Sequence, residues 1–231
     1  MNFPANLSIE SWTAWGEKEG YFNSDRSELD LSGIPPMIRR RLSSLSKMAL
    51  SVALGCIGDD KADFSIFCSR HGELPRTTGL LEELAKNEEL SPMAFSQSVH
   101  NTVAGLFSII KKDMSATTSI AGGADTFGYG LLEASIYLKQ NPGKKVLVVA
   151  FDEPVPDAFG VNNIEPEYGY CVALLLSDEN KSPIKIEFLK SIKDSDSTEP
   201  LAIRFLKFVL NKPLALEVST ESTDWKWTRN D

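Results

Sequence analysis

The chain has 231 residues, which is enough for one domain with a substantial buried core, and its 42% apolar and 24% charged residues are typical of a soluble globular protein. A formal net charge of -8 disfavours general nucleic-acid binding, and three scattered cysteines and two histidines disfavour a disulfide framework or a metal cluster. The N-terminus lacks a secretory pattern and no apolar run reaches the ~18 residues that span a bilayer, so we expect a cytoplasmic protein with reduced thiols, no membrane contact, no cofactor and no metal.

The predicted elements alternate between strands and helices along most of the chain. In order they are a strand at 7–15, a helix starting near Met37, a strand at 62–70, helices at 77–90 and 91–112, a strand ending near Ile120, a helix at about 126–139, strands at 143–153, 169–177 and 184–191, a helix at 201–211 and a last strand at 214–219. The longest break is a loop at 154–168, and the tail from 220 shows no periodicity.

Helical periodicity is clearest at 91–112, where apolar residues at steps of three and four share one face: Phe95, Val99, Val103, Leu106 and Ile110. The helix at 77–90 has Thr77 or Thr78 as its expected cap, and the helix at 126–139 carries Phe127, Leu131, Ala134 and Leu138.

Two strands indicate the fold class. Residues 143–153 and 169–177 are apolar almost throughout, as in strands that are buried on both faces of a sheet. The strand at 184–191 alternates and is expected to pair with 169–177. Together with the intervening helices, these strands predict a layered α/β fold whose central sheet is covered by helices on both faces.

A glycine-bearing turn stands between the strand ending near Ile120 and the next helix. Enzymes often place a nucleophile at such a corner, because the helix N-terminus offers N–H donors to an oxyanion. Here the turn reads Gly122, Gly123, Ala124 and Asp125, with neither cysteine nor serine. The sequence therefore has the frame of an active site without an evident nucleophile.

Other catalytic candidates are few. His71 follows Cys68 by three residues at the end of a strand, but a Cys–His couple also needs spatial proximity and an orienting group. His100 is interpreted as a packed, hydrogen-bonded residue of its helix. The sequence contains no G-x-S-x-G elbow and no P-loop, and GGADTFGYG lacks the glycine order of a dinucleotide site.

Two segments resemble the β-ketoacyl synthases. SPMAFSQSVHNTVAGLFSI is similar to their helix that reads Ser-Pro, then Asn-x-x-Ala-Gly and an apolar pair, and the matching residues are Ser91, Pro92, Asn101, Ala104, Gly105 and Ile109. TTSIAGGADTFGYGLLEA is similar to their strand, nucleophile turn and buried helix. Ser119, Ile120 and Ala121 then meet the family's Ser-Ile-Ala, and the catalytic cysteine position falls on Ala124, or on Gly123 after a one-residue slip.

The resemblance covers about residues 5–180 and implies the N-terminal half of a thiolase-like fold with a central mixed sheet. It is strongest to the β-ketoacyl synthase N-terminal-like proteins, which include chain length factors of bacterial aryl polyene clusters. In full synthases the C-terminal half carries two catalytic histidines. The resemblance gives this chain no counterpart of that half or of its histidines. We therefore expect one ketosynthase-like domain over 1–231 that is not itself an enzyme, and the resemblance assigns no role to the part from about 190 onward.

A partner follows from this resemblance. It implies a pseudo-symmetric heterodimer with a complete β-ketoacyl synthase, and contact with acyl carrier protein only through that synthase. The segment after the Ser-Pro pair lies at the dimer boundary in the family, which suggests that Met93, Ala94 and Gln97 form the floor of the partner's acyl tunnel. Periodicity alone leaves Met93 open between that role and this chain's own core, and favours the core for Phe95.

Two other functions stay open at the level of sequence. The chain could be an independent thioesterase or acyltransferase that uses Cys68 with His71, or a serine near His100. It could also be a homo-oligomeric acyl-binding scaffold without a synthase partner.

Overall fold

The computed structural model describes residues 6–17, 28–160, 167–179, 183–191 and 199–229. Within these ranges the strands, named β1 to β8 in chain order, are Asn6–Gly16, Phe64–Cys68, Ala116–Ile120, Lys145–Asp152, Tyr170–Ser177, Ile184–Lys190, Ala215–Ser219 and Thr223–Arg229. The α-helices, α1 to α7, are Pro36–Arg39, Ser44–Ile57, Leu74–Ala85, Pro92–Ser96, Thr102–Lys111, Thr126–Gln140 and Leu201–Asn211. Among the described residues, no helix has both the length and the apolar character needed to cross a bilayer.

All of these strands belong to one mixed sheet, in the order β3-β2-β4-β5-β1-β6-β8-β7. β2 pairs in parallel with β3 and β4, whereas β5 is antiparallel to its neighbours β4 and β1. β6 joins β1 through two residue pairs only, Asn6 with Lys185 and Leu7 with Ile184, and then continues into β8 and β7. We call β6, α7, β7 and β8 the C-terminal extension of a five-stranded core. The predicted mixed sheet is confirmed.

Helices cover both faces of this sheet. Successive side chains of a strand point to opposite faces, so β4 sends Val146 and Val148 into the layer formed with α6 and α7, and Leu147 and Val149 into the layer formed with α2 and α5. The apolar run predicted at 143–153 is buried on both sides, as expected. The predicted inner face of α6 is also confirmed, with Phe127, Leu131, Ala134 and Leu138 all buried.

The clearest predicted helix, 91–112, is wrong as a single element, because it is broken between α4 and α5. Hydroxyl groups near the break donate to nearby backbone carbonyls in place of a continuing helical ladder: Ser96 to Met93, Ser98 to Phe95 and Thr102 to Val99. The periodic positions before the break consequently leave the core. Phe95 is 63% exposed and Val99 is 48% exposed, so the assignment of Phe95 to this chain's own core is wrong.

The helical boundaries near the N-terminal side also differ from the pattern. The helix expected near Met37 is two helices, α1 and then α2, and the side chain of Ser43 caps α2 by accepting from the N–H of Ser46 at 3.0 Å. α3 begins at Leu74 rather than Thr77. Thr77 is therefore not a cap but lies within the helix, where its hydroxyl donates to the carbonyl of Glu73.

Two predictions about the strands are also wrong. β6 does not pair with β5, because β4 and β1 already occupy both edges of β5. The tail is not aperiodic: β8 alternates, with Thr223, Trp225 and Trp227 buried and the residues between them partly exposed. The loop expected at 154–168 contains one 3-10 turn, Asp157–Phe159, and residues 161–166 of it lie outside the described ranges.

Candidate functional site

The carboxyl ends of β2, β3 and β4 meet at one edge of the sheet, because these strands are parallel. β3 ends at Ile120, a 3-10 turn covers Gly123–Asp125, and α6 begins at Thr126. The Thr126 hydroxyl holds the turn, since it accepts from the N–H of Gly122 at 2.9 Å and donates to the carbonyl of Gly123 at 2.7 Å. Gly123 has φ +59°, a left-handed conformation that favours glycine.

Ala124 lies on this turn and presents a methyl group to a cavity of about 50 Å³. The cavity is bounded on the core side by Cys68, Thr126 and Asp152, and on the other side by residues of the C-terminal extension. Neither a thiol nor a hydroxyl stands at Ala124 or Gly123, so the turn itself offers no attacking group.

Asp125, the next residue, is a site residue that sequence reasoning missed. It is 2% exposed and accepts hydrogen bonds at 2.6 Å from the indole N–H of Trp225 and from the hydroxyl of Thr220. Charge-assisted bonds of this kind satisfy a buried carboxylate. An acidic residue at the end of the glycine turn was the visible signal in the sequence, but its partners lie in the tail, where no strand was expected.

A second buried carboxylate braces the same edge. Asp152 accepts from the hydroxyl of Ser69 and the N–H of Arg70, both at 2.8 Å, and from the hydroxyl of Tyr170 at 3.1 Å. Burial raises the pKa of Asp152, and burial together with this carboxyl raises the pKa of Tyr170. The contacts tie the loop after β2 to β4 and β5.

Glu153 lies beside this brace and faces other carboxylates. Burial, and then the negative charges of Glu73, Glu17 and Asp152, raise its pKa to about 7. Glu73 is itself buried and accepts from the hydroxyls of Ser43 and Ser46 at the start of α2. Arg76 forms an ion pair with Glu73 at 3.3 Å, so the raised pKa of Glu153 reflects burial first and the neighbouring carboxylates second.

The surroundings of Cys68 disfavour it as a nucleophile. The thiol is 1% exposed and packs directly under α6, where a Cβ on Gly130 would lie 2.3 Å from its sulfur. Burial and the nearby Asp152 raise the pKa of Cys68 far above its usual range, whereas attack requires a thiolate. Nε2 of the half-buried His100 donates to the carbonyl of Ser69 at 2.8 Å, which confirms its interpretation as a packed, hydrogen-bonded residue.

The three residues expected at a partner's tunnel lie on or next to α4, away from Ala124. Ser91 caps this short helix by accepting from the N–H of Ala94 at 3.3 Å. Met93 is 42% exposed, and Ala94 and Gln97 are half-buried. The amide oxygen of Gln97 is buried without a hydrogen-bond partner among the described residues. None of the described residues of α4 lines the cavity at Ala124.

Large apolar side chains are exposed on α4, on α5 and in the segments that follow these two helices. β3 is an edge strand, and α5 packs against it. Phe95, Val99, Ile109 and Met114 are between 48% and 98% exposed. We call these four side chains, together with Met93 and the free edge of β3, the β3 surface. Exposed large apolar side chains mark interaction sites in soluble proteins where they form a patch.

Among the described residues, no group of three or more His, Cys, Asp or Glu side chains is placed to hold a metal ion.

The sequence model of the β-ketoacyl synthase N-terminal domain matches residues 12–228. The chain belongs to the β-ketoacyl synthase N-terminal domain family. The match covers the core from within β1 onward and nearly all of the C-terminal extension. A comparison with curated protein sequences gives no match.

Solved structures of ketosynthases share this fold. A chain of the structure titled "Ketosynthase (ApeO) in Complex with its Chain Length Factor (ApeC) from Xenorhabdus doucetiae" is 29% identical with a TM-score of 0.82, and the alignment covers 97% of this chain and 99% of that one. The ishigamide ketosynthase/chain length factor is 15% identical with a TM-score of 0.66, over 82% of this chain and 69% of that one. A β-ketoacyl synthase from Burkholderia phymatum STM815 is 11% identical with a TM-score of 0.61, over 88% and 71%. The thiolase-like fold that the sequence predicted is thereby confirmed.

Proposed function

We propose that this chain is a non-catalytic chain length factor. It pairs with a complete β-ketoacyl synthase in the cytoplasm and shapes the acyl tunnel of that synthase during the biosynthesis of an aryl polyene or a similar fatty-acid-like chain. Acyl carrier protein then meets the complex through the synthase rather than through this chain.

The observation that carries this proposal is the end-to-end likeness to a chain of the ketosynthase–chain length factor complex, at 29% identity and a TM-score of 0.82. A likeness that includes both the core and the C-terminal extension supports the same kind of role, because the two chains match along nearly their whole lengths. The methyl group at Ala124 supports the absence of condensing chemistry, since a Claisen condensation of thioesters needs a thiolate to hold the acyl chain.

The β3 surface supports a partner of similar architecture. A free strand edge offers unpaired backbone N–H and C=O groups to a strand of another chain, and the exposed side chains around it add apolar area. Ile109, at 64% exposure, and Met114, at 98%, are the most exposed apolar side chains of the β3 surface.

Length control is assigned to Met93, Ala94 and Gln97. Met93 belongs to the β3 surface, and Ala94 and Gln97 lie beside it on or next to α4. Ala94 has the smallest side chain of the three. A group that narrows a tunnel floor discriminates between acyl chains by roughly 0.8 kcal/mol for each methylene that loses its buried contacts.

The test of pairing is co-expression with the β-ketoacyl synthase encoded nearest to this chain, followed by purification through a tag on this chain only. A stable 1:1 complex by light scattering supports the chain length factor. A homo-oligomer that excludes the synthase would contradict it and favour the scaffold that the sequence left open. Thioester hydrolysis by the isolated chain that is lost in Cys68→Ala would instead favour the independent enzyme.

The test of length control is Ala94→Trp in the co-expressed pair. We expect the product distribution to shift to shorter chains, because the indole fills space at the tunnel floor, while the complex still forms. Mass spectrometry of the released products measures the shift, and Glu88→Trp, at an exposed site beyond α3, is the matched control. Unchanged product lengths in an intact complex would argue against the assignment of Ala94 but not against pairing.

A further inference from the structure

The C-terminal extension packs against the turn that carries Ala124. The hairpin between β7 and β8 reaches this turn through Thr220, which accepts from the N–H of Thr223 at 3.1 Å and donates to Asp125 at 2.6 Å. Trp225 of β8 donates to the same carboxylate oxygen. Asp125 therefore joins two segments that are about a hundred residues apart in sequence. Both hydrogen bonds are buried, where they are electrostatically stronger than in water and fix the hairpin against the turn.

The contact between the extension and the first turns of α6 is close along its length. A Cβ on Gly128 would lie 2.3 Å from the ring of Trp225, so the indole rests directly on the helix backbone. Phe127 and Phe205 pack with ring centroids 5.4 Å apart, and Phe205 in turn packs edge-on against Trp227 at 5.3 Å. Trp225 and Trp227 are both fully buried.

Little space remains between the turn and this packed layer. The cavity that Ala124 lines is about 50 Å³, and its far wall is built from α7 and the end of β7, including Leu201, Arg204, Val218 and Thr220. Pockets that hold small organic ligands have volumes of roughly 300–1,000 Å³. The space at Ala124 accommodates a few atoms and not an acyl chain.

We infer that the C-terminal extension is a plug that closes the former nucleophile site of this chain to acyl groups. Asp125 anchors the plug through Thr220 and Trp225, and residues of α7 and the end of β7 form its wall at the cavity. The loss of acyl binding at this turn is then a property of the extension as well as of residue 124, and a thiol restored at position 124 remains closed to a long-chain electrophile. This inference stands whether or not the chain pairs with a synthase.

The plug is tested in the full chain with Ala124→Cys, which places a thiol at the half-buried residue that lines the cavity. Gln140→Cys, exposed at the far end of α6, the helix that follows the turn, is the matched control, and the three native cysteines are buried and give the background. N-ethylmaleimide and N-octylmaleimide are compared by the rate of mass increase. At Gln140→Cys the two reagents react at similar rates. At Ala124→Cys the octyl reagent reacts slower than the ethyl reagent by about ten-fold or more, since forcing extra methylenes into packed space costs about 1–3 kcal/mol.

Equal rates of the two reagents at Ala124→Cys would overturn the plug. A second measurement needs no new cysteine: hydrogen exchange of the backbone amides at 124–128 in the wild-type chain and in Thr220→Val. Loss of the Thr220 hydroxyl is expected to speed exchange in this segment several-fold while α2 stays protected. Unchanged exchange in a folded Thr220→Val chain would also overturn the inference, because the hairpin would then not hold the turn.

Discussion

Among single residues, those of the turn between β3 and α6 carry side-chain contacts although the turn has no attacking group. Ala124 has only a methyl group as its side chain, whereas two residues near it form hydrogen bonds. Thr126 holds the turn, and Asp125 accepts from two side chains of the tail. A buried carboxylate that loses a donor is strongly destabilised, so Asp125 gives this turn a structural role that is independent of catalysis.

Glu153 gives a prediction about pH at the same scale. Its pKa of about 7, against an ordinary value of 4.5, means that the folded chain retains a proton which the unfolded chain loses as the pH rises between these values. Glu153 therefore lowers the free energy of unfolding progressively over that window, and by a constant amount above about pH 7. Below about pH 4.5 it has no effect, because the carboxyl is protonated in both states.

We expect Glu153→Gln to raise the free energy of unfolding above pH 7.5 by on the order of 1 kcal/mol, after allowance for solvent screening of this partly exposed group, and to leave it unchanged near pH 4. Urea denaturation at the two pH values measures the difference. Glu88→Gln, at a solvated site, is the control. An equal gain at both pH values would contradict the assigned cause.

At the scale of elements, β8 connects the C-terminal extension to the core. Its two tryptophans stack with their planes 7° apart and are both fully buried, but their indole nitrogens differ. The N–H of Trp225 donates to Asp125, whereas the Nε1 of Trp227 has no hydrogen-bond partner among the described residues. The pair is a natural comparison of a satisfied and an unsatisfied buried donor.

Trp225→Phe and Trp227→Phe remove similar volumes, so the difference between them reports the hydrogen bond to Asp125. We expect Trp225→Phe to lower the free energy of unfolding by about 1–3 kcal/mol more than Trp227→Phe, because only the first leaves a buried carboxylate short of a donor. Chemical denaturation of both variants gives the comparison. Equal losses would mean that the bond to Asp125 contributes nothing net to stability.

The boundary between α4 and α5 also depends on local hydrogen bonds. The hydroxyls of Ser96, Ser98 and Thr102 bond to local carbonyls, which divides an otherwise periodic segment into two helices. The break turns Phe95 outward and makes α4 part of the β3 surface rather than part of the core.

At the scale of the whole molecule, the two ends of the sheet differ. β3 forms one end, with its free edge and the exposed apolar residues around it, and β7 of the C-terminal extension forms the other. Our proposal places the synthase at the β3 end, which leaves the β7 end outside the principal interface.

This arrangement predicts opposite outcomes for two similar substitutions. Ile109→Glu, on the β3 surface, should weaken binding to the synthase by about ten-fold or more, because it buries a charge in an apolar contact. Leu214→Glu, 69% exposed beside β7, should bind as the wild-type chain does. Calorimetric titration with the synthase measures both. Wild-type affinity in Ile109→Glu would place the interface elsewhere.

Short-range sequence patterns correctly predicted the strands buried on both faces, the inner face of α6, and a glycine turn without a nucleophile. The resemblance to the synthases correctly predicted the mixed sheet and the family. The pairing of β6 with β1, the exposure of Phe95 and the contact between Trp225 and Asp125 became visible in the folded chain alone. These outcomes depend on which strand edges are already occupied and on contacts between distant segments, and the periodicity of a local window contains neither.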